Sequence, residues 1–318
     1  MSSLRVEVQR SDPRPRDAPI GLSGILEILV ETLSPLHISS PGTPLKVDEE
    51  QLRVILEKYG GINERSIRAV HFEEEHIPFT ATIKGPTIPG SSVKGNIRAR
   101  LELSFRARNG RARSCFIKAG RLMRPPTPGR HGWRHYRIWG DVILEGREPC
   151  NFLKTGEVCL LCDLFGTPGL RSLIDFSDFQ GEDVELKPMR LDYGMRVLAA
   201  PEGSRFRGRV VFHNLKLEEL GLLLLGMGLI ADRRGEPRLL GRFKYRLRMG
   251  RVRYILEALR LSKLSQPLRL NGVELGPGER IEGEHINPIV KPLTSRALEA
   301  YREELLIVNE VKIVESLR

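Results

Sequence analysis

Apolar and polar positions along the chain change period several times, and each change marks an element. Ile25 to Leu33 is dense in Ile, Leu and Val and stops at Ser34-Pro35, which predicts a buried strand over residues 25–33. Arg171 to Phe179 has similar strand character. Over residues 204–213 the period is two: Arg205, Arg207 and Arg209 alternate with Phe206, Gly208 and Val210, so three guanidinium groups share one face. That face is either a solvated sheet surface or one turned toward RNA. Residues 252–261 predict a fourth strand. Helical spacing occurs in Val93, Ile97 and Leu101, predicting a helix over 92–105, while Leu217 to Leu229 is apolar nearly all round, as in a helix packed under a sheet. Asp48 caps a further predicted helix with Leu52, Ile55, Leu56 and Tyr59 on one face and Gly60-Gly61 as its stop. A last helix is predicted over Ser295 to Asn309, with Leu298, Tyr301, Leu305 and Val308 as its stripe.

These elements predict an α+β core made of residues 22–105 and 165–262. About fifty residues separate the first strand from the 92–105 helix, too many for an ordinary connection, so residues 40–80 are expected to form a lid. Residues 106–164, rich in Arg at the start and in Pro and Gly afterwards, form a second insertion. Residues 1–21 carry Pro13, Pro15 and Pro19 without apolar periodicity, which predicts a flexible or peripherally docked arm; residues 263–318 are a C-terminal extension.

The densest local chemistry lies in Ile88-Pro89-Gly90-Ser91-Ser92-Val93-Lys94-Gly95-Asn96-Ile97-Arg98. Pro89-Gly90 is a turn dipeptide, and Ser91 or Ser92 is placed to cap the helix that follows. Lys94 and Arg98, four residues apart, share a face beside the helix's positive end, an arrangement suited to phosphate. A plain capped surface helix would carry the same pattern.

That stretch resembles the signature of the RAMP superfamily of CRISPR-associated proteins, and specifically the Csm-type backbone subunit of type III effector complexes. Ser34-Pro35-Leu36-His37-Ile38-Ser39 resembles the end of the family's first strand, and Cys162-Asp163-Leu164-Phe165-Gly166 with Ser172 to Asp178 resembles its later motif and strand. The resemblance spans about residues 22–260. It implies a ferredoxin-like or RRM-like sheet with helices on one face and inserted lobes. It also implies binding of single-stranded CRISPR guide RNA, stacking of copies along that RNA, and contact with other effector subunits. By resemblance His37 lies beside the guide, although a hydrogen-bonded strand-end histidine reads the same way. Ser39, Ser91, Ser92, Lys94 and Arg98 join it as candidate RNA contacts.

Composition agrees with a polyanionic partner: net charge is +11, and 39 of the 51 basic residues are Arg, the side chain suited to forked phosphate contacts. Compositional bias of the source would also enrich Arg. The strongest local signal is residues 238–251, where Arg242, Lys244, Arg246, Arg248 and Arg251 interleave with Phe243 and Tyr245 between Gly241 and Gly250; the aromatic faces are expected to stack on bases. The longest uncharged run, residues 220–231, is too short for a membrane span, and the polar start lacks a signal peptide, so a cytoplasmic location is expected.

Cys159-Leu160-Leu161-Cys162 is a C-x-x-C pair, with Cys115, Cys150, His131 and His135 in or beside the same insertion. Structural zinc held by Cys159, Cys162, Cys115 and either Cys150 or one of the histidines is the leading reading; a redox pair and inert buried thiols are the alternatives. Two enzyme readings stand beside the scaffold one. By resemblance a Csm-type subunit cuts guide-paired RNA with a lid Asp and Mg or Mn, and the candidates here are Glu75 and Asp48, although Asp48 is committed to its cap. A stand-alone RNA-processing nuclease would use a histidine.

Overall fold

The runs read as strands pair in one antiparallel sheet. The structure, a computed structural model, describes residues 6–317 apart from 41–44, 71, 75, 116–126, 129–132, 141–148, 192–193, 247 and 271, and apart from the side chains of 45–47, 72–74 and 134–135. Core elements follow in the order β1 (Leu22–Thr32), α1 (Gly90–Ser104), β2 (Ile174–Phe176, resumed at Phe179–Gly181), β3 (Arg205–Leu215), α2 (Leu217–Met227) and β4 (Arg251–Leu261). Their spatial order is β4-β1-β3-β2 with every pairing antiparallel, which is the ferredoxin-like arrangement.

Alternation sets the two faces. Phe206, Val210 and Phe212 of β3 are buried with Leu26, Ile28 and Val30 of β1 against Val93, Ile97 and Leu101 of α1 and the leucines of α2. The opposite face carries the three arginines, and it is a ladder of ion pairs. Arg207 bonds Glu257 at 2.7 Å and also pairs with Glu182, Arg253 meets Glu31 at 3.4 Å, and Arg280 meets Glu27 at 3.1 Å. The solvated reading of this face therefore describes its central arginine better than the RNA-facing one.

Close approach explains Gly90. A Cβ there would stand 2.4 Å from the Phe176 carbonyl and 2.6 Å from that of Ser177, so only glycine lets α1 start against β2. Serine capping is not what happens. The Gly90 N–H donates to Asp178 Oδ1 at 2.8 Å, and no side chain from residues 91 or 92 closes the turn. The acid that does so lies far along the chain, in the break between the two halves of β2.

The described part of the N-terminal arm, residues 6–21, is docked on the core. Glu7–Val8 pairs in parallel with Arg111–Ala112, and Ser11 bridges Val158. Arg14 Nε reaches Asp163 at 2.8 Å and its Nη1 pairs with Glu219, while Arg16 Nη1 holds the other Asp163 oxygen at 2.7 Å. Asn214, at a register shift of β3 with φ +50°, donates to the carbonyls of Pro15 and Ala18 and accepts from Ile20 N. Prolines deny the arm a periodic pattern but not side-chain anchors.

In the expected lid, residues Leu45–Val47 and Phe72–Glu74 form a hairpin around helices Glu49–Tyr59 and Glu64–Ala69. Asp48 caps the first, accepting from Glu50 N and Gln51 N, and Ser66 is the one buried residue of the two helices. The C-terminal helix differs from its expected span: α3 runs Asn287–Ala300, with Pro288 in its first turn, and α4 follows at Glu310–Ser316. Asn287-Pro288 was a start signal that the stripe from Ser295 concealed. Glu310 enters the interior, where its Oε1 accepts from Arg100 Nη2 at 2.8 Å and Leu239 N at 2.6 Å. Among the described residues no helix is long and apolar enough to cross a membrane.

Candidate nucleic-acid interface and metal site

α1 divides its polar residues between two flanks. On one, Asn96 Nδ2 and Arg100 Nη2 both donate to the Leu239 carbonyl, each at 3.0 Å. On the other, Lys94 Nζ donates to Ser172 Oγ at 2.8 Å, and that hydroxyl donates to Asp175 Oδ1 at 2.6 Å. Burial lowers the Lys94 pKa and Arg98 lowers it further, while Asp175 raises it. Between the flanks lies a ridge of small residues, with Ser91 and Gly95 exposed and Ser92 and Ala99 half-buried. A Cβ at Gly95 would meet nothing within 4 Å, so its backbone is open to a ligand.

Arg98 and Arg251 are not set up as phosphate contacts. Arg98 gives Nε to Glu102 at 2.9 Å, Nη1 to the Gly166 carbonyl at 2.9 Å and Nη2 to Cys162 Sγ at 3.4 Å. Arg251 is buried, with Nη1 on the carbonyls of Arg246 and Met249. Spacing placed Arg98 beside Lys94 correctly; it could not say that Gly166 and Cys162 lie within reach.

The loop between Gly241 and Gly250 packs on the segment after β1. Arg242 N donates to the His37 carbonyl, and Arg242 Nη1 donates to Ser39 Oγ, both at 3.0 Å. Phe243, with φ +63°, stacks on His37 at 5.9 Å, and the guanidinium groups of Arg242 and Arg246 lie 5.2 and 5.4 Å from its ring. Tyr245 packs against a small core that includes Trp139 and Val311, and Lys244 is half-buried over it. The aromatics thus face the protein, contrary to the stacking expectation, while Arg242 and Arg248 are the exposed cations. Alternation along a loop does not fix direction as it does along a strand.

His37 is fully buried, and its Nδ1–H donates to the Leu198 carbonyl at 2.7 Å, leaving Nε2 without a partner among the described residues. Burial lowers its pKa below 6.5; the Leu198 bond opposes this and Arg242 reinforces it. The unfolded chain takes up a proton near pH 6.5 where the folded chain does not, so this contribution to stability is present above that pH and lost as pH falls through it. The parent should therefore lose more stability than His37→Gln between pH 7 and 5, by up to about 1.4 kcal/mol per pH unit, as read by denaturant melts. Equal losses would show that His37 is not held neutral.

The four cysteines converge although they come from three stretches of chain. Cys115, Cys150, Cys159 and Cys162 are all buried, with their sulfur atoms within 4.8 Å of one another and Cys115 Sγ 3.4 Å from Cys162 Sγ. They belong to the main apolar core, so this part of the 106–164 insertion is no separate lobe. Sulfurs around one tetrahedral ion at about 2.3 Å would stand under 4 Å apart, so the donor set fits a metal ion after small shifts. His131 and Glu75 lie outside the described residues, as does the side chain of His135.

A family model described as the RAMP superfamily matches residues 29–312. The chain belongs to the RAMP superfamily. Membership implies a CRISPR-associated, RNA-binding function for this RAMP protein. No curated protein matches the chain. Sequence reasoning passed over Asp178, Ser172 and Asp175, which stood inside a quoted motif but were read only as strand.

Proposed function

We propose that the chain is a guide-binding backbone subunit of a type III CRISPR effector complex, holding single-stranded RNA by its backbone with little regard to sequence. The observation that carries this is the bare ridge Ser91-Gly95 of α1, with Lys94 held on one flank and the Arg242 and Arg248 loop reached from the other. A polymer backbone can lie against such a ridge, because small side chains permit close approach while cations at the edges meet phosphates. Copies of the chain stacking along the guide, beside other subunits, complete the assembly.

Binding to a generic single-stranded RNA should weaken steeply with salt. Lys94→Glu or the pair Arg242→Glu/Arg248→Glu should reduce affinity at least about tenfold, and Asp178→Asn, which removes an anion from the start of α1, should raise it. Charge-reversed proteins that bind like the parent in a filter or polarisation assay would exclude this path.

The cysteine set serves structural zinc in this reading: four protein thiolates close the coordination sphere and leave no position for substrate. Bound there, zinc would supply cross-linking of three chain segments. Catalysis is not part of the proposed role of the isolated chain. Asp48 uses one carboxylate oxygen, Oδ1, to cap its helix through two backbone N–H groups, a structural role that stands against its serving as the Mg or Mn ligand. Guide-loaded complex given complementary RNA and Mg²⁺ or Mn²⁺ tests this; regularly spaced cuts lost on Glu75 or Asp48 substitution would establish the nuclease alternative.

A further inference from the structure

Two arginines reach the sulfur cluster, and neither role is explained by RNA binding. Arg98 comes from α1 and bonds Cys162. Arg10 comes from the N-terminal arm and contacts Cys150, and its neighbour Ser11 bridges Val158, the residue directly before Cys159.

We propose that Arg98 and Arg10 are positioning residues of the metal site, stabilising its thiolates, and that through them one ion fastens both the signature helix and the N-terminal arm. The proposal rests on the metal reading above. A divalent ion with four thiolates carries two excess negative charges in a buried place, where uncompensated charge is costly. N–H···S bonds from cations relieve that excess and orient the sulfurs, as outer partners of metal ligands do. Arg98 is fitted for this: Glu102 and the Gly166 carbonyl hold its other nitrogens, so the fork is fixed in plane with Nη2 on sulfur. Glu102 itself is buried, which raises its pKa, and Arg98 opposes that rise. The arm is clamped at the adjacent residue as well, since Arg14 and Arg16 share Asp163, which follows Cys162 directly. The signature arginine thereby belongs to the ion and not to the guide.

The test uses the full chain loaded with zinc, a chromophoric chelator as competitor, and cobalt(II) as a spectroscopic probe. Arg98→Gln should weaken zinc retention about 10–100-fold and move the sulfur-to-cobalt charge-transfer band to longer wavelength, with Arg98→Lys between it and the parent. Arg10→Gln should do the same to a smaller degree, and both should speed protease cleavage within residues 6–20 unless zinc is in excess. Lys94→Gln should leave zinc affinity unchanged. If Arg98→Gln and Arg98→Lys hold zinc as tightly as the parent and leave the cobalt band in place, the proposal is overturned, and a simultaneous loss of RNA affinity would reassign Arg98 to the guide. If the parent itself binds neither zinc nor cobalt through sulfur, the metal reading fails and this proposal fails with it.

Discussion

Replacing Cys162 with serine is expected to lower the melting midpoint by about 8 °C and to abolish the protein's response to chelator. Small zinc domains draw about 10–16 kcal/mol of apparent folding free energy from their ion. These cysteines sit in a core that many other side chains also build, so about a third of that, about 4 kcal/mol, is the share at stake. At about 2 °C per kcal/mol for a chain of this size, the shift is readily measured by calorimetry or fluorescence. Chelator should bring the parent to the same midpoint, and added zinc should not rescue the variant. A serine variant that melts with the parent, both indifferent to chelator, would return the cysteines to the class of inert buried thiols.

Glu310→Leu should cost about 3–5 kcal/mol, because it strands Arg100 in the interior. Arg100 and Glu310 are 6% and 5% exposed by side chain, so water cannot take over the lost partner. The carboxylate oxygen also accepts from Leu239 N, so the strand edge beside the 241–250 loop loses its anchor too. The double variant Arg100→Met/Glu310→Leu should recover much of the loss, since a buried pair replaced by apolar groups is far less costly than half a pair. A double-mutant cycle from urea melts gives the coupling directly; singles and double that simply add would show the pair to be energetically independent.

The core strands and two helices were legible because period and length agree there: β3 alternates along most of its length, and α2 is apolar on nearly every face, as a buried helix must be. The cysteine set was legible for a different reason, since four thiols confined to one insertion form a chemical pattern that needs no periodicity. What was hidden depends on partners remote in sequence. Nothing near Gly90 announces that Asp178 will take its N–H, and nothing near Arg98 announces the carbonyl of Gly166. The 241–250 loop shows the same limit from the other side: its composition is that of an RNA-binding segment, but Phe243 and Tyr245 turn inward because His37 and Trp139 happen to be there.

The docked arm sets the timing of folding during synthesis. Arg14 finds its partners 149 and 205 residues downstream, at Asp163 and Glu219. At the usual pace of about 5–20 residues per second, Arg14 is added to the chain about 10–40 s before Glu219 is. This early-made segment is therefore among the last to complete its docking. Until then Arg14 lacks its Glu219 partner. Closure of the arm over α2 reports that residues up to 219 have been made and correctly placed.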